Sequence, residues 1–429
     1  MTIYVVKEGD TLTSIAASFS TTEQRIITDN GLTSIDDLVV GEALVILIPN
    51  ETYTAAEGDT LSSIAQSYNT TVKALLRNNP NLNGNPLIYP GQTVVISYQG
   101  EDRQRRGIET NGYAYPFISE EVLRRTLPYL TYLTIFTYGF TAEGTLIIPD
   151  DTRLIDIARS YDVAPIMLIS TLTEDGTFSN ELSRALFSDE ALQDRLIAAI
   201  IDNMKQKGYY GLDVDFEFIY PSDREGYVSF VRKLKSALEE NGFILIVALA
   251  PKTSDDMMGL LYEGHDYAAL GAVADKVLLM TYEWGYTYGP PMAVSPLPNV
   301  ERVIAYGVSR IEPSKIFMGV PFYGYDWKLP FVRGESRADS LGNIEAVELA
   351  RKERTQIEYD ENAQAPFFYY SDNDGAEHVV WFGDARSIQA QLGLVPKYGL
   401  NGAAFWTIMK YFPQGWLVIN SLFNITSVI

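Results

Sequence analysis

The segment Gly211-Leu212-Asp213-Val214-Asp215-Phe216-Glu217 constrains this chain more than any other. Side chains alternate along a strand, so Asp213, Asp215 and Glu217 share one face. An antiparallel edge strand could turn such a face to water. This segment instead lies within a β-then-α alternation, where parallel strands are covered on both sides. In a closed barrel the acidic face is the interior. Three carboxyls spaced ~6–7 Å apart along one strand are costly to bury. Like-charge neighbours raise some of their pKa values. A carboxyl held protonated near neutral pH can serve as a general acid. Glu217, the last of the three, falls at the strand's C-terminal end, where barrel active sites are built.

The alternation is read from the flanking sequence. Short β-branched runs at 112–115, 133–138, 165–169, 211–216, 244–250, 277–282, 316–321 and 402–406 predict eight strands. Helical patterns separate them, including 189–207, ended by Gly208, and 224–241, ended by Gly242. Eight such units across 108–429 predict an α/β chain folded as a TIM (β/α)8 barrel. Residues 326–384 are too many for one connection and predict a small α+β insertion.

The N-terminal part repeats. Gly9-Asp10-Thr11-Leu12 returns as Gly58-Asp59-Thr60-Leu61, an offset of 49 residues that Asn30 and Asn79 keep. Each copy reads as a strand, a Gly-Asp turn, two helices and a closing strand, a βααβ unit. Asp10 or Thr11, and Asp59 or Thr60, can cap the helix that follows. The expected boundaries are 1–49 and 50–98, with a polar linker at 99–107.

Composition removes several function classes. A net charge of −22 argues against nucleic acid, because phosphate binding needs Lys and Arg clusters. It also argues against adhesion to an anionic membrane. With no cysteine there is no disulfide, thiolate site or Cys nucleophile. Only His265 and His378 are present, so a His-rich metal site is excluded. No metal and no cofactor is expected, and the chemistry rests on carboxylates. Residues 2–6 open directly into a strand-like stretch, with no basic and apolar signal preceding it. The apolar run at 243–250 is far short of a membrane span.

The two repeats resemble the LysM module, which binds peptidoglycan and chitin. The resemblance implies that Gly9, Asp10, Thr11 and Leu12, with Gly58, Asp59, Thr60 and Leu61, line a glycan groove. The modules hold 4 Lys and Arg against 10 Asp and Glu, so this adhesion is not expected to be electrostatic.

The acidic segment resembles the D-G-x-D-x-D-x-E signature of family 18 glycoside hydrolases. Met280-Thr281-Tyr282-Glu283 is similar to the family's M-x-Y-D. Gly319-Val320-Pro321-Phe322-Tyr323-Gly324 and Gly402-Ala403-Ala404-Phe405-Trp406 are similar to its strand-seven and strand-eight segments. The resemblance implies a substrate-assisted glycosidase. Glu217 would be the general acid, and Asp215 would orient the substrate's acetamide. Asp213 would tune Asp215, and Tyr282 would bond the acetamido oxygen. Trp406 would floor the sugar site, with Met280, Glu283 and Tyr323 lining it and Trp284 following strand six along the cleft. Three positions depart from the pattern: Tyr210 for the first Asp, Phe216 for the usual Trp, and Glu283 for Asp.

Two LysM-like modules before such a barrel resemble the spore cortex-lytic N-acetylglucosaminidases of endospore-forming bacteria. The implied partner is peptidoglycan or a chitin-like glycan, with no nucleic acid and no membrane. The implied place is the spore coat, cortex or cell wall. No oligomeric state is implied. A catalytically inactive lectin and a chitinase share the architecture. Retention of Asp215, Glu217 and Tyr282 weighs against the first, and LysM-like modules do not exclude the second.

Overall fold

The computed structural model describes residues 1–33, 38–100 and 105–429. Of the expected linker, residues 101–104 lie outside the described residues. The Gln99 N–H still donates to the Ile48 carbonyl, between the two modules, and strand pairing resumes at Gly107.

The two N-terminal modules are closed by the same buried side chain. Module 1 runs β1 (Thr2–Val5), α1 (Leu12–Phe19), α2 (Glu23–Asn30) and β2 (Ala43–Ile46). Module 2 runs β3 (Pro49–Thr54), α3 (Leu61–Ser67), α4 (Val72–Asn78) and β4 (Thr93–Tyr98). Asn30 donates to the carbonyls of Ile26 and Val45 and accepts from the Val45 N–H at 2.6 Å. Asn79 does the same with Leu75 and Val95. Each amide thus ties the second helix to the closing strand, which is why the repeat keeps it.

The Gly-Asp-Thr-Leu run divides its labour. Gly9 and Gly58 turn the chain at φ +83° and +87°, where other residues are strained. Asp10 accepts from the Lys7 N–H and the Tyr4 hydroxyl, and Asp59 from the Ala56 N–H and the Tyr53 hydroxyl. Thr11 and Thr60, not the aspartates, are the N-caps, each in a reciprocal box with the serine three residues on. Leu12 and Leu61 are only 3% and 1% exposed. The expectation that these two leucines line a glycan groove is therefore corrected. They are the first apolar positions of their helices and face the module cores.

Eight parallel strands close the barrel: β5 (Gly107–Ala114), β6 (Tyr132–Phe140), β8 (Ala164–Ser170), β9 (Gly211–Asp215), β10 (Ile244–Leu249), β11 (Lys276–Leu279), β12 (Ile316–Pro321) and β18 (Gly402–Trp406). The short β7 (Leu146–Ile147) pairs antiparallel with β6, and β19 (Asn424–Ile425) adds beside β5. Pairing of β18 with β5 and β5 with β6 completes the ring. All eight expected strands are present. Leu212 and Val214 of β9 pack in the shell between strands and helices. Tyr113, Ile166, Leu168, Ile246 and Phe317 fill the lumen with their neighbours. No helix among the described residues is long and apolar enough to cross a membrane.

The insertion follows β12. It is an antiparallel sheet of β13 (Gly324–Lys328), β14 (Asp339–Leu341), β15 (Glu358–Asp360), β16 (Ala365–Ser371) and β17 (Glu377–Trp381), with a helix at Asn343–Lys352. This is the expected α+β element. Tyr325, Trp327 and Val379 continue the lumen core upward from the barrel.

The modules are packed against the rest of the chain. Module 2 shares one continuous apolar core with the barrel shell. Arg77 donates to Asn420 and to the Pro128 carbonyl, and Lys73 to the carbonyls of Leu130 and Asp162. Module 1 meets the insertion. Val39 packs with Ile357, Phe368 and Phe382, and the Ile357 N–H donates to the Val40 carbonyl at 2.9 Å. A Cβ on Gly41 would lie 1.8 Å from the Ile357 carbonyl oxygen. Its repeat partner Gly91 has the same positive φ and open space around it. Gly91→Ala should therefore cost about 1–2 kcal/mol, the left-handed penalty alone. Gly41→Ala should cost at least about 2 kcal/mol more, from the clash with the insertion. Urea denaturation of the two variants checks this, and equal losses would mean that module 1 does not hold the insertion in solution.

Candidate active site

The acidic row crosses from the barrel's interior to its mouth. Strand β9 ends at Asp215, so Glu217 stands two residues beyond it, at the C-terminal end. Asp213 is fully buried in the lumen and accepts from the Tyr113 hydroxyl at 2.6 Å. Asp215 and Glu217 line a cavity of about 310 Å³. Tyr282, Glu283 and Trp284 enter the same cavity from the turn after β11. Met280 lies on its wall, and so does Trp406 at the end of β18. The Trp406 ring is braced edge-on by Tyr113 at 5.8 Å and Phe136 at 5.1 Å.

Two expected residues stand behind the wall. Asp213 is beneath Asp215 and does not line the cavity. Tyr323 is also outside the lining, with its hydroxyl donating to Glu283. The side chain expected to meet substrate thus holds a neighbour that can. Phe216 points outward and stacks on Phe230, so its replacement of the usual Trp does not alter the cavity.

Burial sets the charge state of the row. It pushes the Asp213 carboxyl up to about 7, and the Tyr113 hydrogen bond takes back only part of that. Asp215 is held well above the usual carboxylate range by desolvation, then by the charges of Glu217 and Asp213. Glu217 is raised by desolvation, then by the charge of Glu283. Glu283 is itself raised by burial, offset by donation from Tyr323 and Tyr325. The row therefore holds protons at pH values where surface carboxyls are ionised. One oxygen, Asp215 Oδ1, is buried with no hydrogen-bond partner among the described residues.

Glu283 is fixed at φ +66° with the hydroxyls of Tyr323 and Tyr325 on its carboxylate. Tyr325 comes from the insertion's first strand. Sequence reasoning missed both Tyr113 and Tyr325. The available signal was position, since one lies near the C-terminal end of β5 and the other directly follows strand seven.

Residues 96–410 match the glycosyl hydrolases family 18, and residues 4–47 and 53–97 match the LysM domain. The chain belongs to glycosyl hydrolase family 18. This family 18 chain is 42% identical to the cortical fragment-lytic enzyme of Bacillus subtilis (strain 168), over 99% of each chain. It matches the crystal structure of the Bacillus megaterium QM B1551 spore cortex-lytic enzyme SleL at a TM-score of 0.84 and 38% identity. That match covers 100% of this chain and 99% of the other. The crystal structure of a chitinase from Chromobacterium violaceum ATCC 12472 aligns at a TM-score of 0.68 and 26% identity, covering 73% of this chain and 99% of that chain.

The electrostatics of this family 18 site make a sign-definite prediction. The charge of Glu283 raises the Glu217 pKa, so Glu283→Gln should lower it. The Glu217 carboxyl should then titrate at lower pH than in wild type, as read by carbon-13 NMR of labelled glutamate. An unchanged midpoint would place Glu283 outside the electrostatic reach of Glu217.

Proposed function

We propose that this chain hydrolyses the β-1,4 bond following N-acetylglucosamine in spore cortex peptidoglycan or its fragments, by a retaining, substrate-assisted route. The observation that carries the reading is that Asp215 and Glu217 line one cavity together with Tyr282 and Trp406. A 2-acetamido N–H placed in that cavity can donate to the Asp215 carboxyl. That contact brings the acetamido oxygen toward C1 of the sugar.

The roles follow from the charge states. Glu217, whose hold on its proton is raised by burial and by the charge of Glu283, donates to the glycosidic oxygen. The acetamido oxygen then attacks C1, and the leaving sugar departs with the proton. Asp215 holds the acetamide nitrogen and stabilises the cationic ring that forms, while Asp213 beneath it sets its charge. Tyr282 hydrogen-bonds the acetamido oxygen. Trp406 supplies an apolar floor, and Met280, Glu283 and Trp284 border the sugar. Water, deprotonated by Glu217, opens the ring with retention. Glu283 is a poor nucleophile for this step, because two tyrosine hydroxyls already occupy its carboxylate.

The same chemistry selects the bond. Muramic lactam has its nitrogen tied into a ring, so it offers no free acetamide to attack C1. Cleavage therefore falls after N-acetylglucosamine. Likeness to cortex-lytic enzymes over the whole chain supports cortex as the substrate and the spore as the place of action. The exposed turns at Gly9, Asp10 and Thr11, and at Gly58, Asp59 and Thr60, are the proposed glycan contacts of the two modules.

The test is reducing-end release from cortex fragments, with products assigned by mass spectrometry. Wild type should release N-acetylglucosamine reducing ends. Glu217→Gln should lose about 10²–10⁴-fold in rate, the usual worth of a general acid. Products ending in muramic lactam, or an active Glu217→Gln, would overturn the reading.

A further inference from the structure

Phe216 is the last residue before Glu217, and its carbonyl lies past the end of the β9 ladder. Pairing of β9 with β10 stops at Val214–Val247, and pairing with β8 stops at Asp215. The carbonyl is taken up by a side chain from elsewhere. His265 Nε2 lies 3.0 Å from the Phe216 oxygen. The Ala250 N–H, just past the end of β10, donates to His265 Nδ1 at 2.9 Å. A backbone N–H only donates, so Nδ1 carries a lone pair. The ring proton must then sit on Nε2 and point at Phe216. His265 is fully buried and so cannot trade these bonds for water.

A second ring of bonds holds the histidine. The Tyr267 hydroxyl donates to the Ala250 carbonyl and accepts from the Lys252 N–H. Lys252 Nζ donates to the carbonyl of His265 itself, 3.0 Å away. Lys252 has no exposed surface, and among the described residues it makes no ion pair. Burial pushes the His265 pKa down to about 4, and the Lys252 cation pushes the same way.

We propose that His265 is a positioning residue, which fixes the Phe216–Glu217 peptide against the end of β10 and so aims the Glu217 carboxyl. The peptide is planar, so holding its oxygen sets the direction of the Glu217 backbone. The proposal rests on Glu217 being the acid. It adds a residue that touches neither substrate nor the Glu217 side chain.

Two substitutions separate the halves of the bridge. In His265→Asn the amide oxygen replaces Nδ1 and keeps the Ala250 bond, but nothing reaches Phe216. In His265→Gln the amide nitrogen replaces Nε2 and keeps the Phe216 bond. His265→Asn should lose about 10–100-fold in kcat with KM nearly unchanged, the usual result of misplacing a reacting group. His265→Gln should stay within about threefold of wild type in kcat, while both variants lose similar Tm. Equal losses of kcat in the two, or losses that follow Tm, would overturn the proposal. The wild-type chain gives a second reading that needs no variant to fold. With two histidines in the sequence, nitrogen-15 NMR resolves each ring. His265 should remain the neutral Nε2–H tautomer from pH 5 to 8, and an Nδ1–H or charged ring there would overturn the bridge. The NMR result does not depend on activity. Failure of the acid assignment, seen as an active Glu217→Gln, is thus distinguishable from failure of the bridge.

Discussion

Desolvation of the carboxyl row on β9 is the constraint around which the site is arranged. Asp213 lies deepest, with one oxygen bonded to Tyr113 and the other without a partner among the described residues. Asp215 above it likewise has one oxygen without a partner among the described residues. An isolated buried charge is far costlier than a buried neutral acid, so the row accepts protons instead. That raises the proton affinity of Glu217 at the mouth by burial and by neighbouring charge.

The surrounding architecture fixes the edges of that cavity. Glu283, whose charge raises Glu217, is held by Tyr323 and by Tyr325 of the insertion. The insertion in turn packs against module 1 through Val39, Gly41 and Ile357. Module 2 merges its core with the barrel shell. A chain of direct contacts therefore runs from module 1 through the insertion to Glu283, whose charge reaches Glu217. On the other side, His265 ties the Phe216 carbonyl to the end of β10. The carboxyl row is thus bounded by two independent supports.

Much of this was legible because the physics is local. Eight strands could be read because parallel strands are apolar on both faces and each is followed by a helical pattern. The acidic face of β9 stood out against that background. The modules were legible through repetition. What could not be read depends on distance in the fold. Tyr113 and Asp213 are 100 residues apart, and only its place on the first expected strand sets Tyr113 apart from the other 27 tyrosines in sequence. His265 gave no motif at all, since its partners are backbone groups. Leu12 and Leu61 were misplaced because a contiguous motif joins surface turn and core helix, and letters alone do not mark the boundary. Tyr323 fell on the right strand end, yet its hydroxyl is spent on Glu283.

In the proposed route the substrate's own acetamide, oriented by Asp215, is the nucleophile. The most direct measurement compares turnover of matched N-acetylglucosaminides carrying acetyl, monofluoroacetyl, difluoroacetyl and trifluoroacetyl groups. Each fluorine makes the amide oxygen less nucleophilic and barely changes its size. Attack by the acetamide oxygen predicts a steep, stepwise fall in kcat across the series. A rate indifferent to fluorination would contradict it and return the nucleophile to a protein carboxylate or to water.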